Sequence, residues 1–194
     1  AKTEATVVSL YAKLKATDQW TTKLTLGTYL ERYRYDNPFN PRADPSLLEA
    51  SSYLAVSENW SAEWQNTFQL TDKNKFVLGT SLLNERGRDE SSYLSPFYSS
   101  SSASSQSATN YGVYAEDQWE VIDHLHLSGG LRYDHYQLAG DALTYRGGAA
   151  YLIQPTRTKV RASFGTAFKE PTFYESYNTI LSTGKRLNPE RSRS

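Results

Sequence analysis

Residues 111–168 alternate apolar and polar positions in runs broken by turn-forming residues. Tyr111, Val113, Ala115, Trp119 and Val121 share one parity; Gly112, Tyr114, Glu116, Gln118 and Glu120 share the other. A strand sends successive side chains to opposite faces, so one face of this ribbon is greasy and the other wet and charged. The same period of two predicts strands near 4–15, 20–34, 58–70, 75–86, 111–121, 125–137, 142–154 and 158–168. Leu125, Leu127, Leu131 and Tyr133 oppose His126, Ser128, Arg132 and Asp134; Val160, Ala162, Phe164 and Phe168 oppose Lys159, Arg161 and Ser163.

The connections alternate in length. Short turns fall at 17–19, 72–74, 122–124 and 155–157. Longer polar segments fall at 35–57, 87–110 and 169–194, with only the brief 139–141 connection among them. Pro38, Pro41 and Pro45 interrupt the first long segment, where Ser46–Ala50 is expected to form a single helical turn. The second is serine-rich and low in complexity, which predicts a mobile loop. Alternating strands with short turns at one end and long loops at the other define an all-β fold. The expectation is an antiparallel transmembrane β-barrel segment of about eight up-and-down strands in four hairpins.

Composition removes several rival functions. The 194 residues carry 21 Lys+Arg and 21 Asp+Glu, so there is no charge excess to attract nucleic acid. With no Cys, disulfides, thiolate nucleophiles and Cys-ligated metals are excluded. The 15 Tyr and 4 Trp suit a membrane interface, where one end of the ring is apolar and the other wet. No apolar run is long enough for a membrane-spanning helix. The negative mean hydropathy does not argue against a barrel, because half of each strand faces a polar lumen. The chain has no Met and opens without a leader pattern, which predicts a mature or internal segment.

Two segments carry a family likeness. Gly165-Thr-Ala-Phe168-Lys169-Glu-Pro171 closes the last strand, and Asn188-Pro189-Glu190-Arg191 follows in the next loop. Together with YGVYAEDQW at 111–119 and GLRYDHY at 130–136, they resemble the barrel of TonB-dependent outer-membrane receptors, particularly the cobalamin and siderophore group. The second segment is an abbreviated form of that group's longer motif. The likeness is strongest over 111–194; residues 1–110 fit by pattern, and the whole of 1–194 is expected to be a partial barrel domain. The resemblance implies energised import of a scarce ligand, a ferric siderophore or cobalamin, across the bacterial outer membrane. It also implies outer-membrane lipid, a plug domain and the TonB energy-coupling complex as partners, and no nucleic acid. Neither a plug nor a coupling segment is recognisable here, so the expectation is an internal slice of a receptor.

Candidate site residues follow from faces and loops. Glu116, Glu120, Arg132, Asp134, Arg146 and Arg161 lie on the wet parity and are expected to face the lumen. There they either meet a plug or ligand, or pair across strands to solvate the wall. Tyr35, Phe39, Tyr93, Phe97, Tyr98, Phe173 and Tyr174 are the loop aromatics expected to contact ligand. Tyr33 and Tyr177 belong with them or with the interfacial girdle. His124 and His126 are expected to share a face that His135 does not, so they complete no metal site. No cofactor and no catalytic constellation is expected. Two other readings remain: a self-contained small barrel with a structural or adhesion role, and a soluble β-sandwich that binds glycans.

Overall fold

The computed structural model describes residues 1–39, 49–171, 175, 183–185 and 187–194. Among the described residues, nine antiparallel strands follow one another in sequence order within a single sheet: β1 (Lys2–Lys15), β2 (Trp20–Asn37), β3 (Ala50–Thr71), β4 (Asn74–Leu94), β5 (Ser99–Ile122), β6 (Leu125–Tyr136), β7 (Gly140–Ile153), β8 (Thr158–Lys169) and β9 (Glu190–Arg193). β1 and β9 are the two ends of that order, so the described sheet is open. The chain divides into two compact units. One is Ala1–Ser9, Gly27–Trp60 and Asn84–Ala108; the other is Leu10–Leu26, Ser61–Leu83 and Thr109–Ser194.

Register confirms the two faces in the second unit. Val113, Tyr133 and Leu143 form one cross-strand row; Ala115, Leu131 and Tyr145 form the next; Trp119, Leu127, Ala149 and Ala162 form another. These rows and their neighbours carry large exposed side chains: Leu131 is 59% exposed, Leu143 61% and Phe164 60%. Only Val77, Ala108 and Ala142 are buried apolar residues among those described. A water-soluble sheet hides its apolar face against a second layer. Here the apolar side chains turn outward and no layer covers them among the described residues, which is the arrangement that lipid solvates. Phe164 lies across Gly147 on this face: a Cβ on Gly147 would sit 2.6 Å from the ring. Asp117 also falls on the apolar parity, opposite Gly129. It lies near the start of β4, where Asn74 Nδ2 donates to its Oδ1 at 2.7 Å.

Three of the expected loops are shorter than the sequence pattern implied. β2 runs to Asn37 and β3 begins at Ala50, so the 35–57 segment is largely strand at both ends. Most of the helical turn expected at 46–50 lies outside the described residues, and Ala50 itself opens β3. The serine-rich 87–110 segment is not a mobile loop; β4 extends to Leu94, β5 starts at Ser99, and a tight turn at 95–98 joins them. Ser95 N–H donates to the Tyr98 carbonyl at 2.8 Å to close it. The ladder there is made by backbone, and hydroxyls pair along it, Ser91 with Ser102 and Ser52 with Ser92, each at 2.8 Å. Strands polar on both faces have no apolar alternation, so the pattern could not reveal them. Finally, 169–194 is not wholly irregular, because β9 pairs with the end of β8.

The short turns are tied to one another by charge. Lys73, in the β3–β4 turn, bonds Asp123 in the β5–β6 turn and lies 4.0 Å from Glu120. That hydrogen bond and the Lys73 charge hold the Asp123 carboxyl below its ordinary range, and the same bond raises the Lys73 ammonium. Asp123 therefore contributes stability above the unfolded carboxylate value of about 4, lost as pH falls through its lower folded value. Lys73 contributes below about 10.4, and that part is lost as pH rises through its raised value. Asp123→Asn is expected to flatten the acid limb of the pH–stability curve. Both groups are exposed, so high salt is expected to flatten it similarly. Unfolding titrations at several pH values, in detergent with and without salt, check this.

Candidate functional site

The wet parity of β5–β8 builds a graded surface. Register sets Tyr114 beside Arg132 and Thr144, and Glu116 beside Gly130, Arg146 and Gly165. Arg146 reaches across Gly130 to bond Glu116, whose other oxygen accepts from Gln118 Nε2 at 2.8 Å. One row further on, Arg132 grips Asp134 with two bonds: Nη2 donates to Oδ1 at 2.6 Å and Nε donates to Oδ2 at 2.8 Å. Arg132 Nη2 also donates to Ser81 Oγ on β4 at 3.0 Å. The guanidinium carbon lies 5.5 Å from the centre of the Tyr114 ring, and Tyr114 Oη donates to Glu63 Oε1 at 2.7 Å. Tyr114 in turn covers Gly79, leaving no room for a Cβ there. Asp134 is only 7% exposed, so its two charge-assisted bonds are what make a carboxylate tolerable there.

The geometry joins four of the six expected lumen-facing charges into two pairs, Glu116–Arg146 and Arg132–Asp134. Glu120 instead turns to the short turn, accepting from His124 N–H at 3.2 Å. Arg161 forms no ion pair among the described residues; it pairs with Ala150 in the row that also holds His126. Glu63, Tyr114, Glu116, Arg132, Thr144 and Arg146 border a pocket of about 320 Å³. Glu63, Ser81 and Tyr114 had no distinguishing signal in sequence beyond parity, since their partners lie on other strands.

The family-like residues meet at the other end of the sheet. Phe168 pairs with Arg191 and Lys169 with Glu190 in the β8–β9 ladder, so the two segments, distant in sequence, lie side by side. Lys169 Nζ is 3.9 Å from Glu190 Oε2. Phe168 stacks on Tyr136 with ring centres 5.1 Å apart, and the Arg191 guanidinium lies 5.8 Å from the centre of the Phe168 ring. Gly165 exchanges both backbone bonds with Ser194. Pro171 ends the described stretch after β8, and Asn188 and Pro189 lead directly into β9.

Of the loop aromatics, Tyr35 lies in β2 and Phe39 just beyond it, both exposed. Tyr93 and Tyr98 are 6.3 Å apart across the tight turn, and Phe97 at its tip is 85% exposed. Tyr33 packs against Tyr53 at 5.9 Å. Phe173, Tyr174 and Tyr177 lie outside the described residues. His124 stands in a turn with φ of 70°, so it does not share a strand face with His126 as the alternation implied. His135 Nδ1 meets Asp141 at 2.6 Å and its ring stacks on Tyr111 at 4.9 Å. Among the described residues no group of three or more His, Asp or Glu is placed to hold a metal ion.

A sheet with a lipid-type outer face, a charge-paired inner face and aromatic strand ends is a wall of a transmembrane β-barrel. The chain belongs to the TonB-dependent receptor family: it matches the TonB dependent receptor-like beta-barrel model over residues 2–194. This family resides in the bacterial outer membrane. Over 137 residues, 71% of the chain, it is 31% identical to the vitamin B12 transporter BtuB of Photobacterium profundum, of which it spans 21%. Among solved structures it is similar to the copper transporter OprC, with a TM-score of 0.74 at 17% identity, covering 98% of this chain and 34% of that one. The ferric yersiniabactin uptake receptor FyuA from Yersinia pestis gives a TM-score of 0.66 at 18% identity over 96% of this chain and 30% of its own. The chain thus spans about a fifth of the curated relative and a third of these structures. The similar proteins are transporters and receptors.

Proposed function

We propose that residues 1–194 form part of the barrel domain of an outer-membrane receptor that imports a scarce ligand, cobalamin or a ferric siderophore, using energy delivered through TonB. The observation that carries this reading is the division of one sheet into a lipid-type face and a face whose charges are matched in place. On it, the wet face of β5–β8 abuts a plug domain, with Arg132, Asp134, Glu116 and Arg146 forming a pre-neutralised wall and Arg161 and Glu120 flanking it. The likeness to a vitamin B12 transporter supports cobalamin, and the likeness in fold to a siderophore receptor keeps ferric siderophores beside it. Exposed aromatics at the strand ends, Phe97 and Tyr98 foremost, supply apolar area for such ligands.

The test is ligand binding to the full-length receptor in outer-membrane vesicles, with cyanocobalamin, ferric siderophores and Cu²⁺ offered in turn. Binding of cobalamin or a siderophore, weakened about tenfold or more by Phe97→Ala with Tyr98→Ala, is the expected result. Binding of none of these, or uptake unaffected by loss of TonB, would overturn it.

A further inference from the structure

At Gly165 strand β8 parts from β7. Below it, Thr158–Gly165 pairs with β7 from Ile153 to Arg146. On its opposite edge, Gly165–Lys169 runs beside Ser194 and β9. The outer end of β7 therefore keeps its ladder to β6 but has none to β8, and a cavity of about 290 Å³ opens between them, bordered by Leu143, Tyr145, Thr166, Phe168 and Arg191. Side chains bridge it. Thr166 Oγ1 accepts from Tyr145 N–H at 3.0 Å and donates to the Tyr145 carbonyl at 3.4 Å, standing in for a ladder residue. Arg191 Nη2 donates to the Asp141 carbonyl at 3.4 Å. Residues 141, 143 and 145 alternate in step, so the backbone groups of Leu143 face the same gap, beyond the last β7–β8 ladder position at Arg146.

We propose that Thr166 and Arg191 form a side-chain latch closing a notch between β7 and the β8–β9 arm, the paired stretches Thr166–Lys169 and Glu190–Arg193, and that this arm parts from β7 above Gly165. Two side-chain bridges hold what three ladder positions would hold elsewhere, so the arm opens at lower cost than any neighbouring seam. Phe168, stacked on Tyr136 and under Arg191, keeps the guanidinium aimed at β7. The residue types shared with the receptor family at 165, 168 and 191 thereby acquire a common role: end of the β7 ladder, stacking plate and latch. The ladder from Arg146 to Ile153 stays shut while the arm moves.

The chain has no Cys, so labels placed in it are site-specific. Spin labels at Leu143→Cys and Ser192→Cys, in the full-length receptor in lipid with any other Cys removed, read the width of the notch. A single dominant distance is expected, joined by a longer population in Thr166→Val with Arg191→Gln. Amide exchange is the second readout: Thr166→Val is expected to speed exchange at Tyr145 about tenfold, the equivalent of one net hydrogen bond, with Gly147 and Tyr151 unchanged. Thr166→Ser, which keeps the hydroxyl, is expected to behave as the parent. Unchanged distances and unchanged Tyr145 exchange in the double variant would overturn the latch. So would assembly failure in Thr166→Ser as well as Thr166→Val, which would mark a packing role. Neither readout needs the ligand, so failure of the uptake reading leaves this result separate.

Discussion

Leu131→Arg is expected to destabilise the folded receptor by about 2–4 kcal/mol, the cost of a basic side chain on the lipid face near the bilayer midplane. Leu131 occupies the middle of β6, between Ala115 and Tyr145 in an unbroken apolar row. Its neighbour Arg132 already carries the same guanidinium one residue on, on the opposite face. The comparison isolates orientation from composition: Ser128→Arg, on the wet parity of the same strand, is expected to cost less than about 1 kcal/mol. Denaturant titrations of the full-length protein in lipid vesicles provide both numbers. Equal costs at 128 and 131 would contradict the assignment of faces on which the membrane reading stands.

Arg132→Met is expected to cost about 3 kcal/mol by leaving Asp134 without its cation. That figure is at the low end for an orphaned charge, because Arg132 itself is 40% exposed by side chain whereas Asp134 is 10%. The loss also removes the bond to Ser81 and the cation over Tyr114, so β4, β5 and β6 all feel it. Adding Asp134→Asn to Arg132→Met is expected to recover most of the loss, since a neutral amide needs no counter-charge. A double-mutant cycle by the same titration decides between this and a simple volume effect, for which Asp134→Asn would rescue nothing.

What the sequence made legible followed from period. Leu125, Leu127, Leu131 and Tyr133 alternate with charge over a membrane-sized span, and the structure keeps every one of them on a single face. Strands made of Ser with Ala and Gln, such as 99–108, lack that contrast although their backbone lies in the same sheet, so composition read as a loop. The position of the wet charges was readable from parity, but the pairing of Arg146 with Glu116 was not. It depends on a β5–β6–β7 register that skips Gly130, and no local signal sets that register. β9 escaped for the same reason: four residues after a proline carry too little pattern, and their ladder to β8 is fixed by tertiary pairing. Asp117 is the converse case, a charge on the apolar parity that becomes intelligible only when Asn74 is seen beside it.

β5 has 24 residues, and a tilted strand needs about 9–11 to cross a bilayer. The surplus is the serine-rich stretch, and it is held as ladder. A composition that proteases cut readily in a solvated chain is here locked in extended, cross-paired backbone that cannot thread into an active-site cleft. Between these two paired strands, the four residues Ser95–Tyr98 are the break in the ladder, and a protease reaching this end of the proposed barrel is expected to cut there first.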